Sequence, residues 1–210
     1  EYKDSFEAGR INFFAFLGPI CPLCQRPDCY QSIPPYWRYA QELFPEFKKE
    51  RIPVARFLCR LLQLTFSLLP TQLAPYCQYT LAAIIGALLL GLASREQGEQ
   101  GFQGAVLAVD PDRLVTPWLV ACWLVLVRKG LRRAHAVLRR WFDLDRIRTG
   151  EPSEQAWEEV LGYFRSLGWN PEIRWGPRLQ DLSNRFSRTT KQFLWGIPAQ
   201  QRAPKRSGAS

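Results

Sequence analysis

The chain has 210 residues, 47% of them hydrophobic, and carries 28 Lys and Arg against 19 Asp and Glu for a net charge of +9. That length holds one ordinary domain, or a small metal-binding module beside a helical domain of roughly 100 residues. A mean hydropathy of -0.21 argues against a chain buried mostly in membrane, and a pI near 9.5 points to a polyanionic partner, nucleic acid before an anionic membrane surface.

The six cysteines are too sparse for a small secreted scaffold, and no signal-peptide pattern opens the chain, so a reducing cytoplasm is the expected compartment. A start at Glu1 and the lack of methionine are what a fragment or a processed chain would show.

Residues 1–20 read as a polar arm ending in an aromatic patch, Phe13-Phe14-Ala15-Phe16-Leu17, expected to pack on the metal-binding module or on the helical domain. Cys21-Pro22-Leu23-Cys24 is a Cys-x2-Cys turn, whose short spacer lets both sulfurs point at one ion. The aromatic-rich segment from Ser32 to Tyr39 reads as one strand, Phe44–Glu50 as a loop, and Ile52–Cys59, rich in β-formers, as a second strand. Strand, loop, strand with cysteines at the open end is the hairpin of a zinc ribbon, spanning residues 21–70. The interval from Cys24 to Cys59 exceeds the ~15–20 residues of the commonest spacing, so an insertion is expected in the loop.

Cys21, Cys24 and Cys59 are the ligand candidates. A second turn would return a further cysteine three residues after Cys59, but Leu62 stands there. Cys29 is then either the fourth ligand or a bystander in the first turn. The competing reading is a metal-free ribbon packed by Leu62, Leu64 and Phe66. A zinc ion held by four protein ligands would be structural, because no position is left open for an activated water. Cys77 and Cys122 lie in apolar surroundings and read as inert thiols.

A Pro-rich connector leads to a helix capped by Gln78 or Thr80 and running to about Ser94, with Leu81, Ile84, Ile85, Leu88 and Leu92 at helical spacing. Phe102–Val109 reads as a short second helix and Asp110-Pro111-Asp112 as a turn. Thr116-Pro117 supplies an N-cap and a first-turn proline for a third helix reaching about Phe142. Helix, short helix, turn and long helix is the order of a helix-turn-helix. The third helix sets Leu124, Val127, Leu131, Ala134, Leu138 and Trp141 on an apolar face. Arg128, Arg132, His135 and Arg139 form one polar stripe, with Lys129, Arg133 and Arg140 beside it, a face suited to phosphates or to plain solvation.

Beyond the Gly150–Pro152 break, Ser153–Leu167 reads as a helix with apolar Trp157, Val160, Leu161 and Phe164. Trp169, Trp175, Phe186, Phe193 and Trp195 lie among basic residues, a pattern that packs on a core or stacks on single-stranded bases. The apolar runs Tyr79–Ala93 and Pro117–Val127 are each shorter than the ~20 residues that span a bilayer, so both are expected as core helices. No catalytic constellation is expected. His135 stands among arginines, and Asp143 and Asp145 precede Arg146 and Arg148 in what reads as an ion-paired helix end.

Several of these residues together carry a resemblance. Cys-Pro-x-Cys at 21–24, Arg51-Ile-Pro-Val-x-Arg56-Phe57-x-Cys59-Arg60, Thr65-Phe-Ser-Leu-Leu-Pro70 and Pro75-Tyr76-x-x-Tyr79 look like bacterial insertion-sequence-type proteins. In these a zinc ribbon precedes a helix-turn-helix, as in the DNA-binding front ends of transposases and their small accessory proteins. The match is most specific over residues 21–80 and looser to about 142. It departs from the family at Leu62, and in an expected recognition helix, Trp118 to Val125, that offers few side chains for reading base edges.

The fold expected is mainly α with a small N-terminal β zinc ribbon and a helix-turn-helix-like helical domain. Its parts would be an arm at 1–20, the ribbon at 21–70, the helical domain at 76–150, a helical and aromatic extension at 151–197 and a disordered basic tail at 198–210. The function expected is that of a non-catalytic DNA-binding protein of transposase or mobile-element accessory type. It would hold the backbone of double-stranded DNA through Arg113, Arg128, Lys129, Arg132, Arg133, Arg139 and Arg140. Structural Zn2+ on Cys21, Cys24, Cys29 and Cys59, a transposase or recombinase partner subunit, and no small-molecule substrate complete the expectation. The alternatives are a protein-interaction module built on the Trp-rich C-terminal half, a decayed transposase fragment, and a protein held at a membrane surface.

Overall fold

The computed structural model describes residues 2–44, 46–75, 77–96, 115–147, 155–170, 175–190 and 192–195. Among the described residues, with 46% helix and 22% strand, the fold is mixed α/β rather than clearly mainly α. The difference comes from strands longer and more numerous than the sequence suggests. β1 (Tyr30–Glu42) and β2 (Lys48–Cys59) are followed by a third strand, β3 (Leu64–Leu68), in a sheet of order β1-β2-β3. β2 begins inside the segment expected as a loop, so the extra length between the cysteine turns lies in the strands and not in a loop insertion. β3 pairs antiparallel with β2 from Cys59↔Leu64 to Ala55↔Leu68.

The chain divides into two compact units. The first holds residues 1–39 and 51–70 together with 197–210, the last outside the described residues. Two short helices open it, α1 (Tyr2–Glu7) and α2 (Phe13–Leu17). The Asn12 side chain accepts a hydrogen bond from the Ala15 N–H at 3.0 Å and so caps α2, which Gly18 ends at φ 72°. The core is small: Cys21, Tyr30, Ala55, Phe57 and Cys59 are buried, with Phe13, Leu17 and Phe66 against them. Phe57 sits at its centre, stacked on its cross-strand partner Phe66 at 5.3 Å and edge-on to Phe14 at 5.7 Å and Tyr30 at 5.9 Å. The Phe13–Leu17 patch thus packs on the ribbon.

The second unit holds residues 40–50 and 71–196. Its described helices are α3 (Leu81–Glu96), α4 (Pro117–Leu138), α5 (Ala156–Ser166) and α6 (Trp175–Thr190); α4 packs on α3 and α5, and α3 on α6. Thr80 caps α3, its hydroxyl accepting from the Ala83 N–H at 3.1 Å. Leu81, Ile84, Ile85 and Leu88 are buried as their spacing predicts. Thr116 caps α4 in the same way, accepting from the Leu119 N–H at 3.2 Å, with Pro117 in the first turn. The α4 helix stops at Leu138, short of Phe142, and its buried positions include Leu124, Val127, Leu131 and Ala134. Gly86 lets α3 approach two rings: a Cβ there would lie 2.5 Å from Phe44 and 2.6 Å from Trp175.

Helix α6 is not among the elements expected from the sequence, although Leu179, Leu182 and Phe186 at spacings of three and four are buried along it. The segments expected as a short helix at 102–109 and a turn at 110–112 lie outside the described residues, as does the tail at 198–210. The expected helix-turn-helix depends on those segments, and the described residues give no evidence for it. No helix among them is long and apolar enough to cross a membrane.

Candidate metal centre and basic face

The strand ends and the first turn bring four thiols together. The sulfurs of Cys21, Cys24, Cys29 and Cys59 all lie within 4.8 Å of one another, a cluster able to hold a metal ion. A tetrahedral ion with metal–sulfur bonds of ~2.3 Å needs sulfurs ~3.8 Å apart. Cys29 and Cys59 stand at 3.7 Å, and Cys24 and Cys29 are closer, at 2.9 Å. Cys21 and Cys59 are fully buried, Cys24 and Cys29 half-buried, and all four are free thiols. Cys29 therefore lies with the other three in the candidate site.

Backbone geometry explains how four sulfurs meet. The Cys21–Cys24 turn closes with the Gln25 N–H donating to the Cys21 carbonyl at 2.9 Å, and Gln25 takes φ 60°. Its side-chain amide donates to the Pro22 carbonyl at 3.1 Å. The Cys59 turn repeats this design: Gln63 takes φ 51° and its amide donates to the Arg60 carbonyl at 2.6 Å. Leu62 occupies the place that Cys24 holds in the first turn, and its N–H donates to the Cys59 sulfur at 3.4 Å. Arg60 ties the turns together, its backbone N–H donating to the Cys29 carbonyl and its guanidinium to the Asp28 carbonyl, both at 2.8 Å. The second turn thus keeps its backbone form without a second cysteine, and Cys29 supplies the fourth sulfur of the cluster.

The thiols are poised unequally. The hydrogen bond from Cys29 lowers the Cys24 thiol to about 7, and the same contact pushes Cys29 up. A thiolate available near neutral pH is the form that takes a metal.

The basic residues of α4 divide into two sets. Arg128 and Arg132 both reach Glu159 on α5: Arg132 Nε donates at 2.5 Å and Nη2 at 2.7 Å, and Arg128 Nε at 2.7 Å. The Glu159 side chain is only 1% exposed. Burial works against its charge, but the bonds from Arg132 and Arg128 outweigh that and hold the carboxyl below its usual range. These two arginines, expected on phosphates, meet a buried carboxylate across the α4–α5 seam. Arg139 pairs with Asp145 at 2.8 Å in an exposed ion pair at the helix end. Lys129, Arg133 and Arg140 are exposed, with Arg133 Nε bonded to the Lys129 carbonyl at 3.3 Å. Arg113 lies outside the described residues.

His135 is half-buried with Nδ1 at 2.8 Å from the Tyr163 hydroxyl, a packing role in the α4–α5 seam. The aromatics of the C-terminal half are mostly core: Trp157, Trp169, Phe186 and Trp195 are buried, Arg185 lies over Trp141 at 4.2 Å, and Trp175 donates to the Ala82 carbonyl at 3.2 Å. No protein family matches the chain, and comparison with curated proteins and with solved structures returns no match.

Proposed function

We propose that the chain is a non-catalytic DNA-binding protein of mobile-element accessory type, with a structural zinc ion on Cys21, Cys24, Cys29 and Cys59. The observation that carries the metal half is the convergence of four sulfurs within 4.8 Å. Four thiolates in a tetrahedral set suit zinc, and a closed shell leaves no position for activated water. The DNA half is supported by the exposed Lys129, Arg133 and Arg140, which succeed one another along and just beyond α4. The resemblance of residues 21–80 to insertion-sequence-type zinc ribbons supports the same reading, as does the net charge of +9.

Duplex binding measured by fluorescence anisotropy across a salt series tests it, on the wild type and on a variant carrying Lys129→Ala, Arg133→Ala and Arg140→Ala. Removing one cation from a phosphate should flatten the dependence of log K on log salt by ~0.9. An unchanged slope, or no binding at low salt, removes the reading. Metal analysis of protein purified without chelator should find about one zinc per chain, as a single four-ligand site requires.

A further inference from the structure

The first unit exposes aromatic rings along β1. Tyr36, Trp37 and Tyr39 are 37%, 42% and 42% exposed. The Arg51 guanidinium lies 6.0 Å from the Trp37 ring centre and 5.9 Å from that of Tyr39. A second pairing, Arg56 at 5.9 Å from the Tyr36 ring centre, falls by strand alternation on the opposite face of the sheet. By strand alternation the charges on the same face as Trp37 and Tyr39 are Lys49 and Arg51, while Glu42 and Glu50 fall on the opposite face with Arg38 and Arg56.

We propose that this aromatic and arginine surface of β1 and β2 binds single-stranded nucleic acid, with bases stacked on Trp37 and Tyr39 and phosphates held by Arg51. Exposed rings interleaved with arginine are the two parts such a platform needs, since every base has a π-face and the groove tracks the backbone by charge. A guanidinium lying over a ring keeps its N–H edge turned outward for phosphate oxygens, and its own plane can take a base. The spacing favours a single strand over a duplex. Trp37 and Tyr39, two residues apart on one strand, lie roughly 6.6 Å apart along it. That is about twice the 3.4 Å rise of stacked bases, so the rings fit bases that have been splayed apart. Strand addition by a second copy is disfavoured at the same place. β1 is an edge of the sheet, and Pro34 and Pro35 offer no N–H for a further ladder.

The site is distinct from the α4 face, and the experiment keeps the two apart. Labelled oligo-dT and oligo-U, and a duplex of equal length, are titrated with the full metal-loaded chain. Wild type, Trp37→Ala, Trp37→Phe, Arg51→Gln and the triple α4 variant are compared by anisotropy. Trp37→Ala should weaken oligo-dT or oligo-U binding about tenfold or more, Trp37→Phe should retain most of it, and Arg51→Gln should flatten its salt dependence. The triple α4 variant should leave single-strand binding in place, whatever becomes of duplex binding. Comparison of the dT and U arms assigns the site to DNA or RNA. Single-strand binding unaltered in both Trp37→Ala and Arg51→Gln overturns the proposal. So does absence of single-strand binding by the wild type, or a self-association that Trp37→Ala abolishes with no oligonucleotide bound.

Discussion

Glu159 shows how one residue redirects its neighbours. On a helical wheel Arg128 and Arg132 belong to a polar stripe, and nothing in the sequence nearby says that they face an acid. Glu159 lies on the next described helix and is buried between them, its carboxylate satisfied by three N–H bonds. Removing one partner of such a buried set leaves the others' charges uncompensated. Glu159→Gln is therefore expected to destabilise the second unit by about 3 kcal/mol, read from urea unfolding at neutral pH. The depressed carboxyl also sets a pH dependence. A folded pKa below the unfolded value means stability that is full above the unfolded value, near 4.3, and lost as pH falls through the folded one. Wild-type stability should thus fall as the solution is acidified below about pH 4, with a shallower fall in the Gln variant. Equal acid sensitivity of the two proteins would show that Glu159 is not the group responsible.

Among the elements, the two cysteine turns are the most instructive. Gln25 and Gln63 take the same left-handed backbone and make the same side-chain bond three residues back, so the turns at 21–25 and 59–63 are built alike. The sequence shows that Leu62 stands where a cysteine would, but not that Cys29 makes up the number. In the fold the Arg60 N–H donates to the Cys29 carbonyl at 2.8 Å and holds it beside the second turn. Changing Cys29→Ser should reduce bound zinc well below one ion per chain, since three thiolates leave the shell open. Adding Leu62→Cys to that variant should restore it, as the turn already has the backbone of a two-cysteine knuckle. Zinc content and competition against a chromophoric chelator would measure both. Failure of the double variant would mean that the second turn directs its third side chain away from the ion.

Across the whole chain, the contrast is between two cores of unequal size. Among the described residues the first unit's cluster at the sulfurs has five buried residues, two of them cysteines, with Ile52 and Val54 also buried, whereas the second buries a continuous apolar core across its helices. Domains of about 60 residues with so small a core need a staple, and a four-thiolate ion is one. Chelation is expected to abolish the near-ultraviolet circular dichroism of the Phe13, Phe14, Tyr30, Phe57 and Phe66 cluster, while the far-ultraviolet helical signal, which comes mostly from α3 to α6, persists. Loss of both together would make the two cores one cooperative unit.

The features legible in the chain before it folds are the local ones. Thr80 and Thr116-Pro117 mark helix starts because capping is settled within one turn of chain. The apolar faces of α3 and α4 can be read because periodicity is local too. Cys21 and Cys24 announce a metal turn by their spacing alone. Folding settled what these signals leave open. It extended the strands and added β3, because ladder pairing depends on a partner distant in sequence. It brought Cys29 to the sulfurs, turned Arg128 and Arg132 to Glu159, and buried the C-terminal aromatics while leaving Trp37 in solvent. Which charge meets an opposite charge, and which ring meets water, depends on elements that touch only in three dimensions.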